Sequence, residues 1–213
     1  MNTTRRFYID RFMNNFSHQI KGGILDLGGV RGKRRGNYFY NLNQEKNRVV
    51  INNNPKANPD YLLSIEEDFN LYKKFDTVIV NEVIEYIDNL DNLFKNILKV
   101  SNRKTKLIMT WPWMNTFHGD KAYDLKRYSK VYIENILLKH NFKIEFIENN
   151  GGIFSVVWDF FHTLNSKNKN VFLRKFCKLL LLLCYQLFIK LDNLLNTSEI
   201  VTTGFTMVAR LEK

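Results

Sequence analysis

The sequence predicts an α/β domain whose sheet is mainly parallel, and three observations carry that prediction. Seven short apolar runs lack strict alternation, as strands buried on both faces do. Stretches of helical period separate the later runs. A glycine-rich turn, "LGGVRG", directly follows the first run. The 213 residues fit one domain, 1–213, and 45% hydrophobic residues suffice to bury a core.

The elements follow in order. Ile9, Phe12, Met13, Phe16 and Ile20 recur at helical spacing, so 4–18 reads as an amphipathic helix, with Thr3 or Thr4 as its cap. Strand-like runs are "GILDL" at 23–27, "RVVIN" at 48–52, a weaker "DYLLS" at 60–64, "FDTVIVN" at 75–81 and "TKLIMTW" at 105–111. Residues 28–48 show no helical period and 52–60 are too short for a helical crossover, so the first two crossover helices are expected to shrink to loops. Residues 89–100 place Leu90, Leu93, Phe94, Ile97 and Leu98 on one helical face, and 129–140 repeat the pattern with Ile133, Ile136 and Leu137. "FKIEFIEN" and "TTGFTMVARLE" supply the last two strands.

Between those two strands lies a helical insertion at about 153–197, read as two helices. The second has an apolar stretch, 179–191, broken by Gln186 and Lys190, too short for a membrane span. Burial against the domain is the expected outcome. Peripheral membrane contact through 172–195, flanked by Lys175, Lys178 and Lys190, is the alternative. Cys177 and Cys184, seven apart in one helix, read as small core residues rather than a disulfide, which suits a reducing compartment. The first residues carry no apolar leader, so the chain is expected to be cytoplasmic, with membrane association limited to that peripheral contact.

A net charge of +11 points to nucleic acid, an anionic membrane or a phosphorylated substrate. An A+T-rich coding bias toward Asn, Lys, Ile and Phe explains it equally well. Arg31, Lys33, Arg34 and Arg35 cluster after the glycines, either as a solvated loop or as an electropositive rim. Tyr38, Phe39 and Tyr40 follow, either as a stacking platform for RNA or as core; no RNA-binding module is visible, so nucleic acid is not the expected partner. The turn lacks G-x-G-x-x-G, which argues against a nicotinamide enzyme, and the four histidines show no metal-ligand spacing.

Laid side by side, "ILDLGG", "FDTVIVNEVIEYI", "LIMTWPW" and "FHGDKAYDLKRYS" form an ordered set. The set resembles class I S-adenosylmethionine-dependent methyltransferases, in the branch associated with surface-polysaccharide biosynthesis. The resemblance covers about 23–152 and resumes at the final strand. It implies a Rossmann-like sheet with an antiparallel last strand and S-adenosyl-L-methionine as cofactor. It places Asp26, Gly28, Gly29 and Gly32 in the cofactor loop, Asn54 or Asn52 at the ribose, Ser64 near the adenine, and Asn81 and Glu82 at the fourth-strand motif, with Tyr86 where His is usual. It brings His118, Asp124, Arg127 and Tyr128 into the stretch after strand five, with His118 as candidate general base, Asp124 orienting it or binding a sugar hydroxyl, and Arg127 and Tyr128 on the acceptor. The other reading of these residues is a stabilised loop in which Arg127 pairs with Asp124, and the electropositive-rim reading adds Arg34 and Arg35 as substrate contacts. Val30 replaces a common glycine, and Asn54 and Ser64 are neutral where acids are usual, which implies weak cofactor binding. The implied activity is O-methylation of a sugar or a lipid-linked anionic glycan. The alternatives are a catalytically degenerate binding protein on the same fold and an RNA methyltransferase.

Overall fold

In the computed structural model, which describes residues 3–32, 37, 38, 42–116, 124 and 126–212, all seven runs enter one sheet. Its strands are β1 (Ile24–Leu27), β2 (Arg48–Asn52), β3 (Tyr61–Leu62), β4 (Phe75–Asn81), β5 (Ser101–Pro112), β6 (Phe142–Asn150) and β7 (Gly204–Leu211). Their order is β3-β2-β1-β4-β5-β7-β6. Pairings from β3 through β5 are parallel, and β7 runs antiparallel to both β5 and β6. The absence of alternation in the sequence has a direct cause. Leu25, Val78, Val80, Leu107 and Met109 point into one apolar cluster, while Ile24, Ile79, Ile108 and Val208 point into another on the opposite face.

Helices cover both faces. α1 (Thr4–Asn15) lays Ile9, Phe12 and Met13 on the face of Ile24 and Ile79. Thr3 caps it by accepting the Arg6 amide at 3.1 Å. α3 (Leu90–Val100) and α4 (Lys130–Lys139) cover the other face with Leu93, Phe94, Ile97, Ile133 and Leu137, the residues their periodicity singled out. Asn89 and Ser129 cap these helices through the amides of Asn92 and Tyr132.

Local differences from the sequence reading have physical reasons. The helix expected over 4–18 stops at Asn15, and Ser17–Gln19 closes as a 3₁₀ turn. The first crossover keeps one short helix, α2 (Leu42–Lys46), and the second keeps a 3₁₀ turn at Pro55–Ala57. β3 contracts to two residues. Beside its start, the Asp60 carboxylate accepts the Val50 amide at 2.7 Å, where a longer strand would offer a backbone carbonyl.

The insertion forms α5 (Ile153–Ser166) and α6 (Val171–Leu194), and here the burial expectation is overturned. α6 buries only Ile189 and Asp192. The two helices pack on each other, with Trp158 against Tyr185 (5.0 Å between ring centres) and Phe154 against Phe188 (5.8 Å). Since α6 is apolar on more than one side, a single partner helix leaves its remaining apolar face in solvent. Asp192 ties the hairpin's base by accepting the amides of Phe154 (3.0 Å) and Ser155 (2.8 Å). Cys177 and Cys184 are free and half-buried in α6, not core residues. Among the described residues, no helix is long and apolar enough to cross a membrane.

Candidate active site

The carboxyl ends of parallel strands form a crevice in open α/β sheets, and the sequence-selected residues meet there. β1 and β4 are neighbours with Leu27 opposite Val80, so the turn that begins at Gly28 lies beside Asn81 and Glu82. The glycines of this turn differ in what they make room for. At Gly28, with φ +74°, a Cβ would fall 2.5 Å from Val83 Cγ2. At Gly29 it would fall 2.3 Å from the Asp26 carboxylate. Glycine at these two positions therefore lets Val83 and the Asp26 carboxylate pack against the turn. At Gly32, with φ +66°, a Cβ would meet nothing within 4 Å among the described residues.

Beneath the turn runs a chain of charges. Arg48 pairs with Asp26 at 2.8 Å, both side chains buried, and with Glu45 at 2.7 Å. Arg31 reaches Glu45 at 3.2 Å and Asp60 at 2.7 Å. Burial works against ionised Asp60, but the bonds from Arg31 and the Val50 amide outweigh it and hold the carboxyl below its ordinary value. Arg31 therefore belongs neither to a solvated loop nor to an electropositive rim: it turns back and locks the loop to β2. Lys33, Arg34, Arg35, Phe39 and Tyr40 lie outside the described residues. Tyr38 is core, packed with Ile24 and Ile79.

The asparagines after β2 divide the work. Asn52 donates to the Gly29 carbonyl at 2.8 Å and so fixes the glycine turn. Exposed Asn54 spends its side-chain oxygen on the Lys56 amide, capping the 3₁₀ turn. Ser64, beyond the end of β3, accepts the Glu66 amide at 3.3 Å.

At the end of β4, Glu82 adopts φ +50°, a left-handed conformation that costs a non-glycine residue about 1–3 kcal/mol and persists only where the surroundings impose it. They do so here. The Glu82 amide donates to the Thr110 carbonyl at 3.0 Å, and Thr110 Oγ1 donates to Glu82 Oε1 at 3.0 Å. Arg5 of α1 grips the carboxylate with Nη2 at 2.5 Å and Nε at 3.4 Å. The same guanidinium reaches Asn150 Oδ1 (2.7 Å) and the carbonyls of Trp111 (2.9 Å) and Phe205 (3.1 Å), stitching α1 to the ends of β4, β5, β6 and β7. The sequence reading missed Arg5. Its signal was a cation at position i of the apolar stripe that continues through Ile9, Phe12 and Met13. Beside Glu82, Asn81 Nδ2 contacts Met13 Sδ at 3.3 Å, while buried Asn81 Oδ1 has no hydrogen-bond partner.

The second cluster follows β5. Asp124 has a fully covered side chain and grips Arg127 through both oxygens, which raises the guanidinium further above its usual value. Arg127 remains about a quarter exposed. The pair borders an open cleft of about 280 Å³ that Trp113, Met114 and Phe160 of α5 also line. Tyr128 is turned away from it. Its phenol donates to the Ile87 carbonyl at 2.9 Å, its own carbonyl accepts from Trp111 Nε1, and its ring belongs to the core. Burial, with Glu85, Asp124 and Glu82 nearby, pushes the Tyr86 hydroxyl far above its ordinary pKa and keeps it protonated. His118, expected to serve as base, lies outside the described residues.

A cofactor fits this crevice on two observations. Among the described residues nothing stands within 4 Å of a Cβ at Gly32, and buried Asn81 Oδ1 is an acceptor without a partner at the adjacent strand end. Asn81, Gly32 and the backbone of the turn are the residues that would hold it. Asp26 and Glu82 act beneath and beside them, already committed to Arg48 and Arg5.

No protein-family model and no curated protein matches the chain. Solved structures do. The chain is similar to the O-methyltransferase of a trans-AT PKS multienzyme from Brevibacillus brevis, in complex with S-adenosyl-L-homocysteine (TM-score 0.58, 14% identity, 98% of this chain and 70% of that one). It is also similar to the [4+2]-cyclase SpnF (TM-score 0.59, 13% identity, 95% and 80%). A third likeness is to phosphoethanolamine N-methyltransferase 2 of Haemonchus contortus, in complex with S-adenosyl-L-methionine (TM-score 0.53, 18% identity, 98% of this chain and 52% of that one). The chain spans only about half the length of that protein. At such identities the likeness is one of fold: the chain has the Rossmann-like α/β architecture of these neighbours, a seven-stranded, mostly parallel sheet with antiparallel β7.

Proposed function

We propose that the protein is an S-adenosylmethionine-dependent methyltransferase that O-methylates a sugar or a lipid-linked anionic glycan. The observation that carries the reading is the orphaned Asn81 acceptor beside the glycine turn, at the crevice where this fold takes its ligands. The complexes of the Brevibacillus and Haemonchus proteins with the cofactor or its product support the choice of cofactor.

When bound, the cofactor supplies a methyl group activated by its sulfonium. The chain's residues supply position. Gly32 and its turn give close backbone approach, Asn81 accepts a hydrogen bond, and Arg5 holds the Glu82 backbone in its strained form beside them. Arg127, oriented by Asp124, presents its exposed edge to a carboxylate or phosphate on the acceptor. His118 accepts the proton of the attacked hydroxyl.

Asn81→Ala tests this reading. A buried acceptor without a partner costs about 1–3 kcal/mol, so its removal should leave thermal stability equal or higher. The same change should weaken cofactor binding about tenfold by calorimetric titration. No cofactor binding by the wild-type protein at millimolar concentration would refute the proposal. A catalytically silent binding protein is the second reading, favoured by the commitment of Glu82 to Arg5. It is removed by transfer of labelled methyl from the cofactor to any acceptor.

A further inference from the structure

The α5–α6 hairpin turns two apolar stripes to solvent. On α6, Phe172, Phe176, Leu179, Leu183 and Leu187 recur at helical spacing on the side away from α5, with Phe172 at 81% and Leu183 at 71% exposure. On α5, Val157, Phe160, Phe161 and Leu164 do the same. The charge around these stripes has one sign. Residues 160–191 contain Lys167, Lys169, Arg174, Lys175, Lys178 and Lys190 and no Asp or Glu. Asp159 and Asp192, the nearest acids, are buried, one holding the amides of Thr4 and Arg5 and the other those of Phe154 and Ser155.

We infer that this hairpin docks on an anionic bilayer surface, with α6 lying in the interface plane. An apolar stripe flanked by cations matches acyl chains below and acidic headgroups beside them. A second copy of the chain fits worse, because a two-fold contact through this face would set six cations against six. A span is excluded by the same residues, since the apolar stretch of α6 is too short and too interrupted by charge to cross. Lys190, on the stripe itself, reaches the headgroups by extending its stem. Phe160 belongs both to the α5 stripe and to the cleft of Asp124 and Arg127, so the docked hairpin places that cleft at headgroup level. The docking surface does not depend on methyl transfer.

Co-sedimentation with vesicles tests it, comparing phosphatidylcholine alone with an equimolar mixture of phosphatidylcholine and phosphatidylglycerol. The wild-type protein should bind the mixture and lose that binding as salt rises. The double variant Lys175→Ala/Lys178→Ala should bind about 30-fold more weakly, at about fivefold per charge. The triple variant Leu179→Ser/Leu183→Ser/Leu187→Ser should lose at least about a hundredfold while its thermal unfolding stays at the wild-type temperature, since all three side chains are already exposed. Equal sedimentation with both vesicle types, or none, overturns the inference. So does a concentration-dependent dimer that the triple variant abolishes while vesicle binding is absent.

Discussion

The crevice edge of the sheet and the α5–α6 hairpin are built on opposite plans. At the crevice the charges have partners: buried Asp26 meets Arg48, Glu82 meets Arg5, and the more exposed Asp60 meets Arg31. The apolar residues beneath them are covered by helices on both faces. On the hairpin the ranking inverts. Leucines and phenylalanines face water, and among the described residues six cations make no ion pair. The difference separates a region completed by folding from one whose apolar surface exceeds what the fold itself covers.

The largest expected effect breaks the crevice. Arg5→Ala leaves Glu82 and Asn150 without their partner and should cost about 3–5 kcal/mol, measured by urea unfolding. A hairpin cation such as Lys178, changed to Ala, should stay within about 0.5 kcal/mol of wild type. If the two variants lose the same stability, the comparison fails.

The glycine turn sharpens the contrast at a smaller scale. Gly28→Ala adds left-handed strain and a clash with Val83, together about 3 kcal/mol. Gly32→Ala meets no atom among the described residues and should cost only about 1 kcal/mol of conformational strain. With Gly32 in the proposed cofactor turn, Gly32→Ala should weaken cofactor binding more than it weakens the fold, as titration alongside unfolding would reveal.

Asp159 joins the two regions, since its carboxylate accepts the amides of Thr4 (2.6 Å) and Arg5 (3.1 Å) from within α5. Burial raises its pKa from 3.8 to about 6, against the opposing pull of those amides. The folded state therefore favours the protonated acid. That contribution is complete below pH 3.8 and is lost as pH rises through about 6. Relative to Asp159→Asn, the wild-type protein should lose on the order of 3 kcal/mol between pH 4 and pH 7. A pH-independent difference between the two would refute the assignment.

The smallest effect lies on the hairpin surface. Leu183→Ala should change stability by less than about 0.5 kcal/mol, whereas Leu107→Ala in the sheet core should cost about 2–5 kcal/mol.

Much of this architecture is legible in the sequence. The helical faces of α3 and α4 and the two-sided burial of β1, β4 and β5 follow from spacing, because period and burial are properties of consecutive residues. The crossovers were legible as short, but the five-residue α2 was not, since residues 28–48 show no helical period. The site was legible only in outline. That Gly28 and Asn81 meet follows from two strands ending at the same edge. Which groups already hold each other there does not. Arg5 and Glu82 are 77 residues apart, and Arg48 and Asp26 are 22 apart. Asp124 is covered and pairs with Arg127, while His118, its expected companion, lies outside the described residues.

By itself, then, the sequence determined the strands, the helical faces, the glycine turn and the apolar character of α6. The tertiary structure alone decided that Val83 fills the space beside Gly28, that Arg5 closes on Glu82, and that α6 remains uncovered. Local pattern sets what each segment prefers to bury. Only the packed arrangement of distant segments sets how much surface there is to bury it against, and which charge arrives opposite which.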